Sequence, residues 1–239
     1  MASKSKYHHG DLRAALVGAG LELTREGGPE ALTVRAATRR AGVSPNAAYR
    51  HFSDREALLE AVAHAIEDGM GAGMAASVEA LLGGTPAARA WARLRAVGLD
   101  YIDFALTEPG WFSVVFFGDS VPDPDALDDR VSPPYLALVE ALDELAAAGA
   151  LSPQERDGAE WPCWAAVHGF AELAVRGPLR GTEPAVLRRH AARTVEAIID
   201  GLGRARGSAA VVPGERVSPT TLGWDDVGPV AQPVRATDS

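Results

Sequence analysis

Apolar residues recur every three or four positions through most of the chain, which is the spacing of an amphipathic α-helix. In the first segment Leu12, Leu16 and Ala19 lie on one such stripe, and Gly27-Gly28-Pro29 ends it. No segment alternates apolar and polar positions as a half-buried strand does. The pattern predicts an all-α fold of about nine helices over 10–26, 34–41, 45–51, 54–70, 87–106, 111–117, 135–148, 160–175 and 184–202.

Residues 33–58, TVRAATRRAGVSPNAAYRHFSDREAL, contain the most specific signal in the chain. Thr33 is placed to cap one short helix, and Gly42 is placed to take the positive φ of a tight turn. Ser44 is expected to cap the next helix, with Pro45 at its first position. A short, polar helix held on a turn of small residues is typical of a helix-turn-helix recognition element. The segment therefore predicts duplex DNA as a partner.

Side chains of this segment supply the chemistry that a DNA duplex requires. Asn46 can bond adenine in the major groove, and the small Ala47 permits a close approach. Tyr49 and His51 can bond phosphate oxygens, as can the helix N-terminus at Thr33. The alternative without a DNA-binding role is a solvated polar turn between two packed helices. The candidate DNA contacts are Thr33, Arg35, Ser44, Pro45, Asn46, Ala47, Tyr49, Arg50, His51 and Arg55.

Residues 10–65 resemble the TetR family of bacterial transcriptional regulators. The resemblance depends on Thr33-Val34, on 41–44 (AGVS), on 49–52 (YRHF) and on 56–59 (EALL). It implies a three-helix DNA-binding domain, a buried Phe52, and Tyr49 and His51 facing the DNA backbone. Two positions depart from the family pattern: Thr38 stands where a small apolar residue is common, and Arg55 where a lysine is frequent.

Aromatic residues in the second half of the chain predict a cavity for a small molecule. Trp164 and His168 are four residues apart and share a helix face, where His168 could orient an apolar or aromatic effector. The alternative is a core histidine bonded within the protein. The segment resembles the C-terminal domain of a TetR subgroup with a Trp-His-Gly element. The candidate ligand contacts are Trp91, Tyr101, Phe104, Trp111, Phe112, Phe116, Trp164 and His168.

The charge distribution agrees with a DNA-binding N-terminal segment. The formal net charge is −9, but residues 1–60 carry nine Lys and Arg against seven Asp and Glu. No apolar run is long enough for a membrane span, and no apolar stretch follows the lysines at positions 4 and 6, so a cytoplasmic protein is expected. Cys163, the single cysteine, is expected to be buried and inert. No metal-ligand spacing or phosphate-binding loop is found, so neither metal nor cofactor is expected.

These features predict three parts. Residues 1–55 form a helix-turn-helix domain with a basic N-terminal arm, 56–203 an effector-binding and dimerisation domain, and 204–239 a disordered tail. We expect a homodimer through the last two helices, because one helix-turn-helix reads only half of a palindromic operator. The expected function is that of a non-enzymatic regulator released from DNA when an effector tilts the helix at 54–70, and the resemblance to the TetR family implies that it is a repressor. An activator, an all-α enzyme using His168, and a structural DNA binder with a filled core remain alternatives.

Overall fold

The computed structural model describes residues 9–79, 83–117 and 131–204. These residues form helices and turns, with no strand among them, so the predicted all-α class is confirmed. Two of the helices, α3 and α8, are single turns, and a short 3-10 turn follows α1. The helices are α1 His9–Gly27, α2 Val34–Ala41, α3 Pro45–Ala48, α4 Arg55–Glu79, α5 Pro86–Thr107, α6 Pro109–Phe117, α7 Pro133–Ala147, α8 Pro153–Arg156, α9 Glu160–Val175 and α10 Pro184–Arg204.

Helix boundaries follow the local chemistry of the sequence. The Thr85 hydroxyl accepts a hydrogen bond from the Ala88 backbone at 3.2 Å and caps α5, where Pro86 takes the first helical position. At α8, Ser152 and Glu155 form a capping box, in which each side chain bonds the other's backbone N–H.

Helix α4 is longer than the sequence pattern predicted. We expected it to fade at 69–73, where three glycines occur, but it continues to Glu79. Met70 and Met74 are buried on its inner face, and this burial holds the last turns in place. Gly71 faces Pro133 of α7 so closely that a β-carbon there would lie 2.6 Å from the proline ring. At that position the glycine permits two helices to approach rather than ending one of them.

The core surrounds α5, which packs against α4, α6, α7, α9 and α10. Helices α1, α2 and α3 form a smaller group, and α4 packs on both α1 and α5. Helix α4, a continuous helix of 25 residues, therefore joins this smaller group to the body. No helix of the described residues is long and apolar enough to cross a membrane.

Several sequence-based expectations fall outside the described residues. They are the arm at 1–8, most of the segment between the predicted helices 111–117 and 135–148, and the tail from 205 onward.

Candidate functional site

The turn between α2 and α3 has the geometry that its sequence predicts. The Thr33 hydroxyl accepts a hydrogen bond from the Ala36 N–H at 3.0 Å and caps α2. Gly42 adopts φ 69° and ψ 29°, the left-handed conformation that glycine reaches without steric cost. The Val43 N–H then bonds the Thr38 carbonyl at 3.0 Å and closes the helix end. The departure at Thr38 is accommodated, because its buried hydroxyl bonds the Arg35 carbonyl at 3.1 Å.

Helix α3 is shorter than predicted. Its regular part ends at Ala48, although hydrogen-bonded turns continue from Tyr49 to Phe52. The predicted Ser44 cap is not formed: Ser44 occupies the N-cap position, but its side chain makes no capping hydrogen bond. Ala48 and Phe52 are both buried, which anchors the recognition turn on the core of the small domain.

The outer side of the helix-turn-helix is polar and exposed. Asn46 and Arg50 are four residues apart, as are Pro45 and Tyr49, so the two pairs form adjacent rows on the turn. All four are exposed, and Tyr49 keeps 55% of its surface accessible. An exposed tyrosine beside an exposed asparagine and an arginine is chemically suited to a phosphate-lined groove.

Arginines on α2 extend this surface. Arg35 and Arg39 are exposed and four residues apart, and among the described residues no hydrogen bond or ion pair engages their guanidinium groups or that of Arg50. Arg40, in contrast, pairs with Glu22 of α1. Sequence reasoning missed Arg39, although its spacing from Arg35 could have identified it.

Arg55 occupies a different position from the one expected of a phosphate contact. Its guanidinium donates to the carbonyl oxygens of Leu32 at 2.8 Å and Pro29 at 2.6 Å. It thereby ties the start of α4 to the 3-10 turn before α2. Asp54 caps α4 by accepting from the Ala57 N–H at 2.8 Å, and this bond lowers the pKa of the Asp54 carboxyl.

Five of the predicted ligand contacts form one aromatic cluster, which we name the ring cluster. Its members are Tyr101, Phe112, Phe116, Trp164 and His168. Neighbouring ring centroids lie 4.8–6.3 Å apart, within the range of favourable aromatic pairs. As predicted from their spacing, Trp164 and His168 share a face, and their rings are nearly parallel at 17°.

A hydrogen bond of 2.9 Å joins the Tyr101 hydroxyl and Nδ1 of His168. Burial lowers the pKa of His168, although Glu172 opposes the shift, so the imidazole tends to be neutral. Burial also raises the pKa of the Tyr101 hydroxyl, which stays protonated. The same cause raises the pKa of the Cys163 thiol to about 11, which leaves little thiolate at neutral pH. Cys163 is buried, as predicted.

The remaining three predicted ligand contacts lie elsewhere. Trp91 and Phe104 are half-buried against the core and, within the described residues, make no ring contact with the ring cluster. Trp111 faces α1 instead: its indole N–H donates to the Leu21 carbonyl at 2.8 Å, and the Arg25 guanidinium lies 5.0 Å above its ring. The sequence-based prediction grouped these residues because all are aromatic. In the fold they point in different directions, because each lies on a different side of its helix.

The start of α6 is docked against the last turn of α1, at a contact we name the α1–α6 seam. Arg25 of α1 forms a bidentate ion pair with Glu108, in which Nε of Arg25 donates to Oε2 of Glu108 at 2.7 Å. A β-carbon added at Gly110 would overlap the carbonyl oxygens of Thr24 and Arg25, so only glycine fits there. Sequence reasoning missed this seam, since Glu108-Pro109-Gly110 has only the appearance of a helix stop.

A small cavity adjoins the ring cluster between α5, α7, α9 and α10. Its volume is about 30 Å³, far below the ~300–1,000 Å³ of sites that hold drug-sized ligands. Among the residues that line it, Tyr101, Cys163 and Trp164 supply polar atoms, and the rest are apolar or glycine. The side chains between these four helices thus leave little empty space.

Comparison with known proteins agrees with this architecture. Residues 16–62 match the family model described as bacterial regulatory proteins of the tetR family. Residues 94–202 match the model described as a tetracyclin repressor-like C-terminal domain. The two models cover the DNA-binding helices and most of the body in the expected order. The chain belongs to the TetR family.

Solved structures share the fold of this TetR-family chain. A protein of unknown function from Rhodococcus sp. RHA1 is 28% identical with a TM-score of 0.61, over 84% of this chain and 98% of that one. A TetR-family transcriptional regulator from Pectobacterium atrosepticum is 19% identical with a TM-score of 0.61, over 83% and 97%. A TetR variant from Acinetobacter baumannii AYE, in complex with minocycline, is 20% identical with a TM-score of 0.58, over 85% and 100%. No curated protein matches the sequence.

Family membership makes the chain a DNA-binding transcriptional regulator. The matched C-terminal model does not carry the Trp-His-Gly description, so that subgroup stays a prediction. Within the residues that the structure describes, no three His, Cys, Asp or Glu side chains come together as a metal site.

Proposed function

We propose that this TetR-family regulator is a homodimeric repressor of a palindromic operator and that a small apolar or aromatic effector releases it. Residues 1–55 would bind DNA and 56–203 would bind the effector and the second subunit. The arrangement of α6 carries the proposal. One side of this helix contributes Phe112 and Phe116 to the ring cluster, and its N-terminal residues bind α1 through the α1–α6 seam.

The nearly filled cavity supports a coupling between effector and DNA. Tyr101 and Trp164 are the cluster rings that line this cavity, and both contact rings of α6. An effector larger than about 30 Å³ that displaces them would therefore also disturb Phe112 and Phe116. Helix α6 also packs on α4, which continues into the DNA-binding domain. Displacement of α6 would then change the positions of α1 and α4 together. A ligand acts in this way only through different affinities for the two states, and about 5.5 kcal/mol takes a population from 1:99 to 99:1.

Small residues that are exposed or half-buried in the single chain support a dimer through α9 and α10. Ala165 and Gly169 lie on the accessible side of α9, and Ala197 and Gly201 on that of α10. Leu173 of α9 is 45% exposed in the single chain, which is a large apolar area to leave in water. Two such helices from each subunit would give a four-helix interface. Its two-fold axis would separate the recognition turns by one helical turn of DNA, roughly 34–36 Å.

Fluorescence anisotropy on the DNA upstream of the chain's own gene, with scrambled DNA as control, tests the DNA-binding part. We expect specific binding with two protomers per site and an affinity that falls steeply with salt. Arg35→Ala and Arg50→Ala should each reduce the salt slope by about one per protomer. Arg180→Ala, an exposed arginine distant in sequence from the DNA-binding helices, is the matched control and should leave the slope unchanged.

Two results would count against the proposal. Equal, weak binding to both DNAs would remove sequence specificity at this site, and one protomer per operator would remove the dimer. A tight-binding effector that leaves operator affinity unchanged would separate the ring cluster from regulation.

A further inference from the structure

The chemistry of the ring cluster restricts the effector further. We propose that the site takes an uncharged, planar aromatic molecule with one hydrogen-bond donor, as in the phenol and indole classes. This inference rests on the proposed effector-responsive function, and adds the charge, the shape and the polar group of the ligand.

A continuous track of rings connects the buried cluster with the protein surface. Phe112 is fully buried, and its centroid lies 5.9 Å from that of Tyr101. Tyr101 is 5.3 Å from Trp164, which is 5.8 Å from Tyr135. Tyr135 is 6.3 Å from Trp161, whose side of α9 is open to solvent. Each step has the spacing of an aromatic pair. A flat ligand ring that moves along the track can therefore exchange its contact with one protein ring for a similar contact with the next.

Trp161 marks the outer end of this track and is 64% exposed. A tryptophan of this exposure leaves a large apolar area in water, and it lies three residues before Trp164 on the same helix. A surface ring that leads to a buried ring provides a first contact for an aromatic ligand. We therefore place the access route of the ligand at the first turn of α9, and the proposed dimer face at the turns that follow from Ala165 onward.

The site disfavours charge of either sign. His168 would become a cation on protonation, and burial shifts its pKa downward; Tyr101 and Cys163 would become anions, and burial shifts their pKa values upward. The same desolvation acts on a ligand charge, which costs free energy unless a partner charge compensates it. No residue that lines the cavity within the described chain carries a charge. Glu172, which is exposed, acts on His168 but does not outweigh burial.

The Tyr101 hydroxyl indicates which polar group the ligand should carry. Its bond with Nδ1 of His168 uses one of the three hydrogen-bonding positions of the hydroxyl. In the tautomer that carries its proton on Nε2, the neutral imidazole accepts the hydroxyl hydrogen at Nδ1, and the phenolic oxygen keeps its lone pairs for a donor. An N–H or O–H on the ligand ring matches this position, and a buried donor without such a partner would be penalised.

Four probes that share one ring test the proposal on the full-length protein: indole, N-methylindole, indoleacetate and tryptamine. Calorimetric titration should show saturable binding of indole, with the anionic indoleacetate and the cationic tryptamine at least about tenfold weaker. N-methylindole keeps the ring but lacks the donor, so it should bind about tenfold more weakly than indole.

Two matched variants test the role of the hydroxyl. Tyr101→Phe should remove the difference between indole and N-methylindole. Tyr135→Phe, which deletes a hydroxyl from the neighbouring half-buried tyrosine of the track, should preserve it. If Tyr101→Phe does not fold, the N-methylindole comparison on the unchanged protein tests the same bond. Trp161→Ala should slow indole association several-fold in stopped-flow fluorescence.

Several outcomes would overturn the inference. Indoleacetate or tryptamine binding as tightly as indole would refute the neutral class, and cyclohexanol binding as tightly would refute the aromatic class. No saturable binding of indole would refute both, and an unchanged association rate for Trp161→Ala would refute the access route. Operator binding is measured separately. Loss of DNA binding alone would therefore refute the repressor proposal, but it would not refute ligand binding at the ring cluster.

Discussion

At the scale of single residues, Asn46 and Tyr49 are expected to contribute differently to DNA binding. Both are exposed on the recognition turn, but an amide can distinguish base edges whereas a phenol bonds phosphate without regard to sequence. Tyr49→Phe should weaken binding to operator and random DNA alike. Asn46→Ala should cost about 1–3 kcal/mol at one base position and relax specificity there. Anisotropy on operator, single-base variants and random duplexes distinguishes the two effects. Equal losses on every duplex from both variants would contradict this division.

His168 should make folding stability depend on pH. The unfolded chain takes up a proton near the ordinary imidazole pKa of 6.5, whereas burial keeps folded His168 neutral to lower pH. Its contribution is therefore complete above pH 6.5 and is lost as the pH falls from there toward the lowered folded-state pKa.

Urea unfolding across pH, for the unchanged protein and for His168→Gln, measures this contribution. The difference in unfolding free energy between the two should shrink as the pH falls below 6.5. Histidines common to both proteins cancel in that difference. A difference that is constant with pH would show that His168 does not titrate with folding.

Residue-scale reasoning from the sequence succeeded where a side chain acts on its own backbone. The Thr33 cap, the positive φ of Gly42 and the shared face of Trp164 and His168 were all predictable, because each depends on a spacing of four residues or fewer. Arg55 could not be placed in this way. Its partners at Leu32 and Pro29 precede it by more than 20 residues and become neighbours only when the domain folds.

At the scale of helices, some glycines weaken a helix and others permit two helices to pack closely. The sequence alone does not distinguish the two roles. Gly73 of α4 meets no other atom at its β-position, whereas a β-carbon at Gly110 of α6 would overlap the carbonyls of α1. Reading the glycines at 69–73 as a helix end was wrong, since burial of Met70 and Met74 outweighs their propensity.

Two glycine-to-alanine substitutions should therefore differ in sign. Gly73→Ala should stabilise the protein by about 0.5–1 kcal/mol, because alanine costs less backbone entropy in a helix. Gly110→Ala should destabilise it by about 1–3 kcal/mol through overpacking at the α1–α6 seam. Thermal and urea unfolding measure both effects. Stabilisation by Gly110→Ala would show that the seam is looser than described.

At the scale of the whole molecule, the proposed dimer makes a prediction about surface alanines. Ala165→Glu or Ala197→Glu would place a charge on the exposed face of α9 or α10. Each should give a folded monomer by light scattering and weaken operator binding, since a single half-site contributes little affinity. Ala72→Glu, at an exposed alanine of α4, is the control and should remain dimeric. A dimer that persists in both interface variants would exclude these faces.

The order of the two domains and the helical class were within reach of the sequence, because both follow from periodicity and from a local motif. The sequence did not predict which aromatic residues belong to the ring cluster and which make other contacts. Trp111 belongs to the α1–α6 seam and Phe112, the next residue, to the ring cluster, so adjacent side chains serve different contacts. Which side each one faces depends on how α6 rotates against α1 and α5, and this is decided by tertiary packing.

The nearly filled cavity has a consequence for how such a regulator responds in a cell. If the binding-competent state is a small fraction of the population, every tenfold decrease in that fraction raises the half-saturating effector concentration tenfold. In the proposed regulator, ring packing around Tyr101 and Phe116 would therefore set a minimum effector concentration, below which expression of the target genes does not change. A change of one ring could lower that threshold without altering the operator, so dose–response and choice of target genes can evolve independently.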